Sequence, residues 1–176
     1  MSAAVSVRRA QLGDEDALSL VGQATFLETF AGVLDGSAIV AHCYAAHSPA
    51  RYREWLEDPG SRLWLAETEV GKAPIGYAVL SSPALPGADP AHDLELKRIY
   101  LLARYQGGGL GKQLLASAIE HARLAGAARL LLGVYAGNAG AISFYGRQGF
   151  KQFAIRKFNV GGRDYDDHVL SLGLST

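Results

Sequence analysis

Residues 94–101, Leu-Glu-Leu-Lys-Arg-Ile-Tyr-Leu, alternate with the two-residue period of a strand that has two usable faces. From Leu110 the period becomes helical: Leu110, Leu114, Leu115, Ala118, Ile119, Ala122 and Ala125 mark one face, and Gly126 closes the helix. The same reading extends along the chain. Ala4 to Arg8 predicts an opening strand, and Asp14 stands where it can cap a helix running to about Phe30, with Leu18, Val21 and Thr25 inward. Gly36 and Pro49 punctuate one or two short helices, the second from Pro49 to Leu56 and ending before Asp58-Pro59-Gly60. Strands follow at Arg62 to Thr68 and Ile75 to Ser81, joined by a turn containing Gly71 and Pro74. Ser82 to Asp93, with prolines at 83, 86 and 90, predicts a loop that serves as a lid or an insertion. Beyond Gly126 come a core strand (Arg129 to Tyr135) and a short helix (Ala139 to Gln148) with Asn138 at its start and Gly149 at its end. A hairpin of Phe150 to Asn159 and Tyr165 to Leu172 then turns on Gly161-Gly162. This order predicts an α/β fold with a mixed sheet, and residues 1–176 read as a single domain without repeats or linkers.

The junction between the alternating strand and the long helix carries the chemistry. It reads Gln106-Gly107-Gly108-Gly109-Leu110-Gly111-Lys112. Glycines there leave main-chain N–H groups unscreened at a helix start, where the helix dipole favours an anion. A Walker loop needs Gly at 106 and Ser or Thr at 113, but both positions hold glutamine. The dinucleotide pattern G-x-G-x-x-G fits in no register. What fits is Q-x-x-G-x-G, filled by Gln106, Gly109 and Gly111.

A second motif lies downstream. Asn138 is followed by A-x-x-F-Y-x-x-x-G-F, filled by Ala141, Phe144, Tyr145, Gly149 and Phe150. The two motifs together resemble the GNAT superfamily of acetyl-CoA-dependent N-acetyltransferases over roughly residues 94 to 150. The resemblance implies a mostly antiparallel sheet, splayed between two central parallel strands and flanked by helices. It implies that acetyl-CoA is the cosubstrate. The pantetheine arm would pair with the strand at Ile99, Tyr100 and Leu101, and the pyrophosphate would rest on Gln106, Gly107, Gly108, Gly109, Leu110, Gly111 and Lys112, with Arg104 as a further charge partner. Asn138 would bond the pantetheine, cap the helix, or do both. Tyr145 would donate a proton to the departing thiolate, a role suited to a phenol that stays protonated at neutral pH; packing with Phe144 is the other reading. Glu95 stands where several members carry a catalytic base, and strand alternation places it on one face with Lys97 and Ile99. An ion pair with Lys97 or a water chain to the amine are the alternatives.

Thr25 to Ala31 and Tyr165 to Leu170 resemble the polyamine (spermidine/spermine-type) acetyltransferase group, which implies a small-molecule amine drawn by Glu28, Asp166 and Asp167. Lys97 and the loop Pro83 to Pro90 depart from that group. An acetyltransferase for peptide or ribosomal-protein N-termini and a non-catalytic acyl-CoA sensor are the competing readings.

Lys plus Arg and Asp plus Glu balance at 17 each, which gives no field for nucleic acid. Cys43 is the single cysteine, and the histidines at 42, 47, 92, 121 and 168 lack metal-ligand spacing, so no metal is expected. Neither a secretion signal nor a membrane span is evident, so a cytoplasmic location is expected, and a homodimer is compatible.

Overall fold

The computed structural model describes residues 3–174. A seven-stranded sheet runs β1 (Val5–Arg9), β2 (Arg62–Thr68), β3 (Pro74–Ser81), β4 (Asp93–Leu101), β5 (Arg129–Tyr135), β7 (Arg163–Gly173), β6 (Lys151–Val160) in spatial order. All neighbours are antiparallel except β4 and β5. The helices are α1 (Glu15–Phe30), α2 (Gly36–Ala46), α3 (Pro49–Glu57), α4 (Leu110–Leu124) and α5 (Ala139–Arg147). The expected order of elements and the splayed parallel pair are both present.

Each face of the sheet buries its own apolar set. α4 lays Leu114, Leu115, Ala118 and Ala122 on Leu96, Leu130 and Leu132, and Tyr145 and Phe150 join from α5 and its end. Each leucine taken fully from water contributes about 1.5–3 kcal/mol. On the other face Leu18 and Val21 of α1 and Tyr52 and Trp55 of α3 cover Leu63, Leu65, Tyr77 and Val79. α2 fits Ile39 and Cys43 against Phe26, Phe30 and Val160.

Two expectations need correction. Asp14 occupies the N-cap position of α1 but makes no capping bond there. Its carboxylate instead takes both ends of the Arg8 guanidinium at 2.9 Å and accepts from Gln11 N at 2.8 Å. Residues 82–92 form a loop, as expected, pinned by Leu85, which is buried against Leu131 and Val169, and by Arg129, which bonds both Gly87 O and Asp93. Finally, Glu95 and Ile99 lie on opposite faces. The β3–β4 register slips between Val79↔Arg98 and Leu80↔Leu96, so Lys97 is an extra residue, and a bulge reverses the alternation beyond it. Leu94, Leu96, Ile99 and Leu101 therefore all face α4, and Tyr100 packs on the α1–α3 side.

The pairing of β4 with β5 ends at Glu95↔Leu131, although β4 continues to Leu101 and β5 to Tyr135. β3 holds the outer edge of β4 as far as Leu101, and β7 holds β5 as far as Tyr135. The two strands are thus drawn apart by their outer partners, and the gap opens toward the glycine loop. Among the described residues no helix is long and apolar enough to cross a membrane.

Candidate active site

A cleft of about 640 Å³ fills that gap and continues past both strands to the α1–α2 side. Its mouth is the glycine loop. Gly107 and Gly109 take φ of 83° and 86°, left-handed conformations that a side chain disfavours, and nothing lies within 4 Å of a Cβ placed on either. The first bond into α4 runs from Gln113 N to Gly109 O. The amides of Leu110, Gly111 and Lys112 thus have no acceptor within the helix. Gln106 folds back and donates from Nε2 to Leu101 O at 3.1 Å, tying the loop to the end of β4.

Of the expected coenzyme residues, Ile99, Tyr100, Leu101, Gln106, Gly107, Gly109, Gly111, Lys112 and Asn138 line the cleft. Gly108 lies in the loop beside it, and Leu110 points into the core under α4. Asn138 does cap α5: its Oδ1 accepts from Ala141 N at 3.1 Å. Tyr145 lines the cleft from α5, and burial, with Tyr100 nearby, pushes its hydroxyl well above the ordinary phenol range. It remains a proton donor at neutral pH.

The expected acidic residues fare differently. Glu95 is 4 % exposed, and its Oε2 accepts from Ala84 N and from Lys97 Nζ, both at 2.8 Å. Lys97, not Glu95, forms the cleft wall there. Glu28 is exposed on α1 and accepts from Ala103 N at 2.9 Å, which anchors the turn leading to the glycine loop. Asp166 pairs outside the cleft with Lys157. Asp167 does line the cleft, but it is buried and bonded to Arg156 Nη2 at 2.7 Å.

Sequence reasoning missed a cluster around Arg98. Its Nη1 donates to Tyr52 Oη at 2.9 Å and to His47 Nδ1 at 3.1 Å, and the guanidinium lies 4.9 Å from the Trp55 ring centroid. His47 Nδ1 also meets Tyr52 Oη at 2.8 Å, so this nitrogen is the acceptor and the proton sits on Nε2. Burial, reinforced by Arg98 and His42, depresses His47 to about 2. Burial and then Arg98 lower His42, which stacks on Phe26 at 4.3 Å. One sequence signal was available, a glycine in mid-helix. A Cβ at Gly22 would stand 2.6 Å from His47 Nδ1 and would collide with the Tyr52 hydroxyl.

Among the described residues no group of three His, Cys, Asp or Glu side chains is placed to hold a metal ion. The cleft can instead grip a diphosphate at its mouth, accept an extended chain against the open strand edges, and present a phenol proton inside.

A mostly antiparallel sheet opened at its one parallel pair, with an anion-binding loop at the mouth of the gap, has the architecture of an acyltransferase. The acetyltransferase (GNAT) family model matches residues 28–150, and the chain belongs to that family. An uncharacterised N-acetyltransferase of Mycobacterium tuberculosis is 33% identical over 157 residues, 89% of this chain and 96% of the relative. Among solved structures, the PaiA N-acetyltransferase of Thermoplasma acidophilum in complex with coenzyme A superposes with a TM-score of 0.77 at 22% identity, covering 98% and 99% of the two chains. The ribosomal-protein-S18-alanine N-acetyltransferase of Escherichia coli gives 0.70 at 21% identity, covering 98% and 95%.

Proposed function

We propose that the protein moves the acetyl group of acetyl-CoA to the primary amine of a small molecule, by direct attack within a ternary complex. The observation that carries this reading is one cleft containing the open glycine loop, the unpaired inner edges of β4 and β5, and Tyr145. The loop amides and Lys112 hold the pyrophosphate. The edges at Ile99 to Leu101 take the pantetheine as an added strand. Asn138 caps α5 and bonds the same arm.

The amine nitrogen attacks the thioester carbonyl carbon, the C–S bond breaks, and Tyr145 gives its hydroxyl proton to the departing sulfur. The phenolate regains a proton from the amine through water. Glu95 meets the cleft only through Lys97, so its contribution is to hold that ammonium in the wall, and a water chain removes the proton.

A polyamine-like acceptor is the finer reading that the resemblance implied. It finds less support, since Glu28 and Asp166 lie outside the cleft and Asp167 is shared with Arg156. The test is release of free thiol from acetyl-CoA across amino acids, polyamines, aminoglycosides and peptides. Tyr145→Phe should lower turnover by about 100-fold or more and leave coenzyme affinity within about twofold. Unchanged turnover in this variant would remove Tyr145 from the mechanism.

A further inference from the structure

The half of the cleft beyond the open strands is built from α1, α2, β4, β6 and β7. Its charge comes from Lys97, Arg98, Arg156 and Asp167. Two of the cations are already matched: Lys97 pairs with Glu95 at 2.8 Å and Arg156 with Asp167 at 2.7 Å. Arg98 has no carboxylate partner among the described residues. Among the described residues its side-chain hydrogen bonds all use Nη1 and go to neutral groups, the Tyr52 hydroxyl and the unprotonated Nδ1 of His47. The rings of Tyr52 and Trp55 flank it at 5.5 and 4.9 Å.

Such packing fixes the guanidinium plane and leaves its Nε–H and Nη2–H edge without a partner among the described residues. That edge is the pair of parallel donors a carboxylate takes in bidentate fashion. Arg98 is half-buried against an aromatic wall, and no carboxylate among the described residues meets it, so an anion entering the cleft would be favoured there. Asp167 is the one carboxylate in the lining among the described residues, and Arg156 already pairs with it.

Resting on the acetyltransferase reading above, we propose that the acceptor carries an anion, a carboxylate or a similarly shaped oxyanion, bound bidentately by Arg98. Its amine lies toward the thioester. The substrate class is then an amino acid or related zwitterion rather than a polyamine. Arg98 sets acceptor specificity, with His47 and Tyr52 as positioning residues that hold its fork.

The test compares L-methionine and L-phenylalanine with their own carboxamides, and with spermidine, under wild-type protein and acetyl-CoA. The carboxamide is the weaker base and keeps more free amine at neutral pH, so solution chemistry alone favours it. The acids should nevertheless exceed their amides in kcat/KM by about tenfold or more, through KM. Arg98→Gln should bring that ratio within about threefold, and Arg98→Lys, which keeps the charge without the fork, should fall between. A merely structural role for Arg98 would lower Tm without moving the ratio. Wild-type protein giving equal or better rates with amides or spermidine overturns the proposal, whether or not the variants fold.

A binding arm separates this proposal from the activity it rests on. With the protein saturated in coenzyme A, N-acetyl-L-methionine should bind and its amide should not, and Arg98→Gln should abolish the difference. If no amine is acetylated yet this discrimination appears, the acceptor pocket stands and the catalytic reading fails. Equal binding of acid and amide, or binding of neither, overturns the pocket.

Discussion

His47 is kept without a proton by its position. It is 2 % exposed, it receives hydrogen bonds at Nδ1 from Tyr52 and Arg98, and burial holds its pKa near 2. The unfolded chain binds a proton at this ring near the ordinary histidine value of about 6.5 and the folded chain does not. Protons therefore favour the unfolded state as pH falls below that value, and the loss continues down toward the folded pKa. His42, lowered by burial and by Arg98, adds a contribution of the same sign. Thermal unfolding should show Tm nearly flat above pH 7 and falling below it, at about 1.4 kcal/mol of stability per pH unit for His47 once pH is well under 6.5. His47→Gln should flatten that slope; an equally steep fall in the variant would place the acid sensitivity elsewhere.

At the scale of elements, the junction of β4, glycine loop and α4 is decided by backbone geometry. Gly109 stands at the N-cap of α4 with φ of 86° and no neighbouring atoms within 4 Å of a Cβ. A methyl group would fit in space and be strained in conformation, by about 1–2 kcal/mol. Gly109→Ala should therefore weaken coenzyme A binding by roughly five- to thirtyfold, as the loop relaxes away from the geometry that aims its amides. Calorimetry of coenzyme binding reads this directly, and an unaltered affinity would show that the loop amides do not hold the diphosphate. The bulge at Lys97 acts on the neighbouring element in the same local way. One extra residue turns Arg98 and Tyr100 toward α1 and α3 and keeps Ile99 and Leu101 on α4.

For the whole molecule, the gap between β4 and β5 is a place where the sheet forgoes its own hydrogen bonds. Three residue pairs join the two strands, against seven joining β5 to β7. A ligand that fills the gap completes the sheet and binds only the folded chain. Coenzyme A at about 100 times its Kd should raise stability by about 2.7 kcal/mol, a Tm increase of roughly 5–10 °C for a chain of this size. A flat Tm under saturating coenzyme would mean that the ligand does not bind the folded cleft.

Much of this was legible in the residues themselves. Periodicity located every strand and all the helices but α2 to within about two residues, because apolar spacing reports local geometry directly; for α2 the sequence offered only one or two short helices between Gly36 and Pro49. α5 begins with Asn138 as its cap, as the motif implied. The glycine loop was legible for the same local reason, since the need for positive φ is written in the residue type. What depended on distant partners was not. Nothing near Asp14 announces that Arg8 takes its carboxylate, and strand alternation cannot foresee a bulge that puts Glu95 and Ile99 on opposite faces.

The same division separates the two halves of the cleft. The glycine-loop side is made of contiguous motif residues that present bare backbone amides, so the order of amino acids determined it. The acceptor side gathers Arg98, His47, Tyr52, Arg156 and Asp167 from β4, the C-cap of α2, α3, β6 and β7. Which of those charges cancel and which remain available depends on distances between elements far apart in the chain, and tertiary packing alone fixes them.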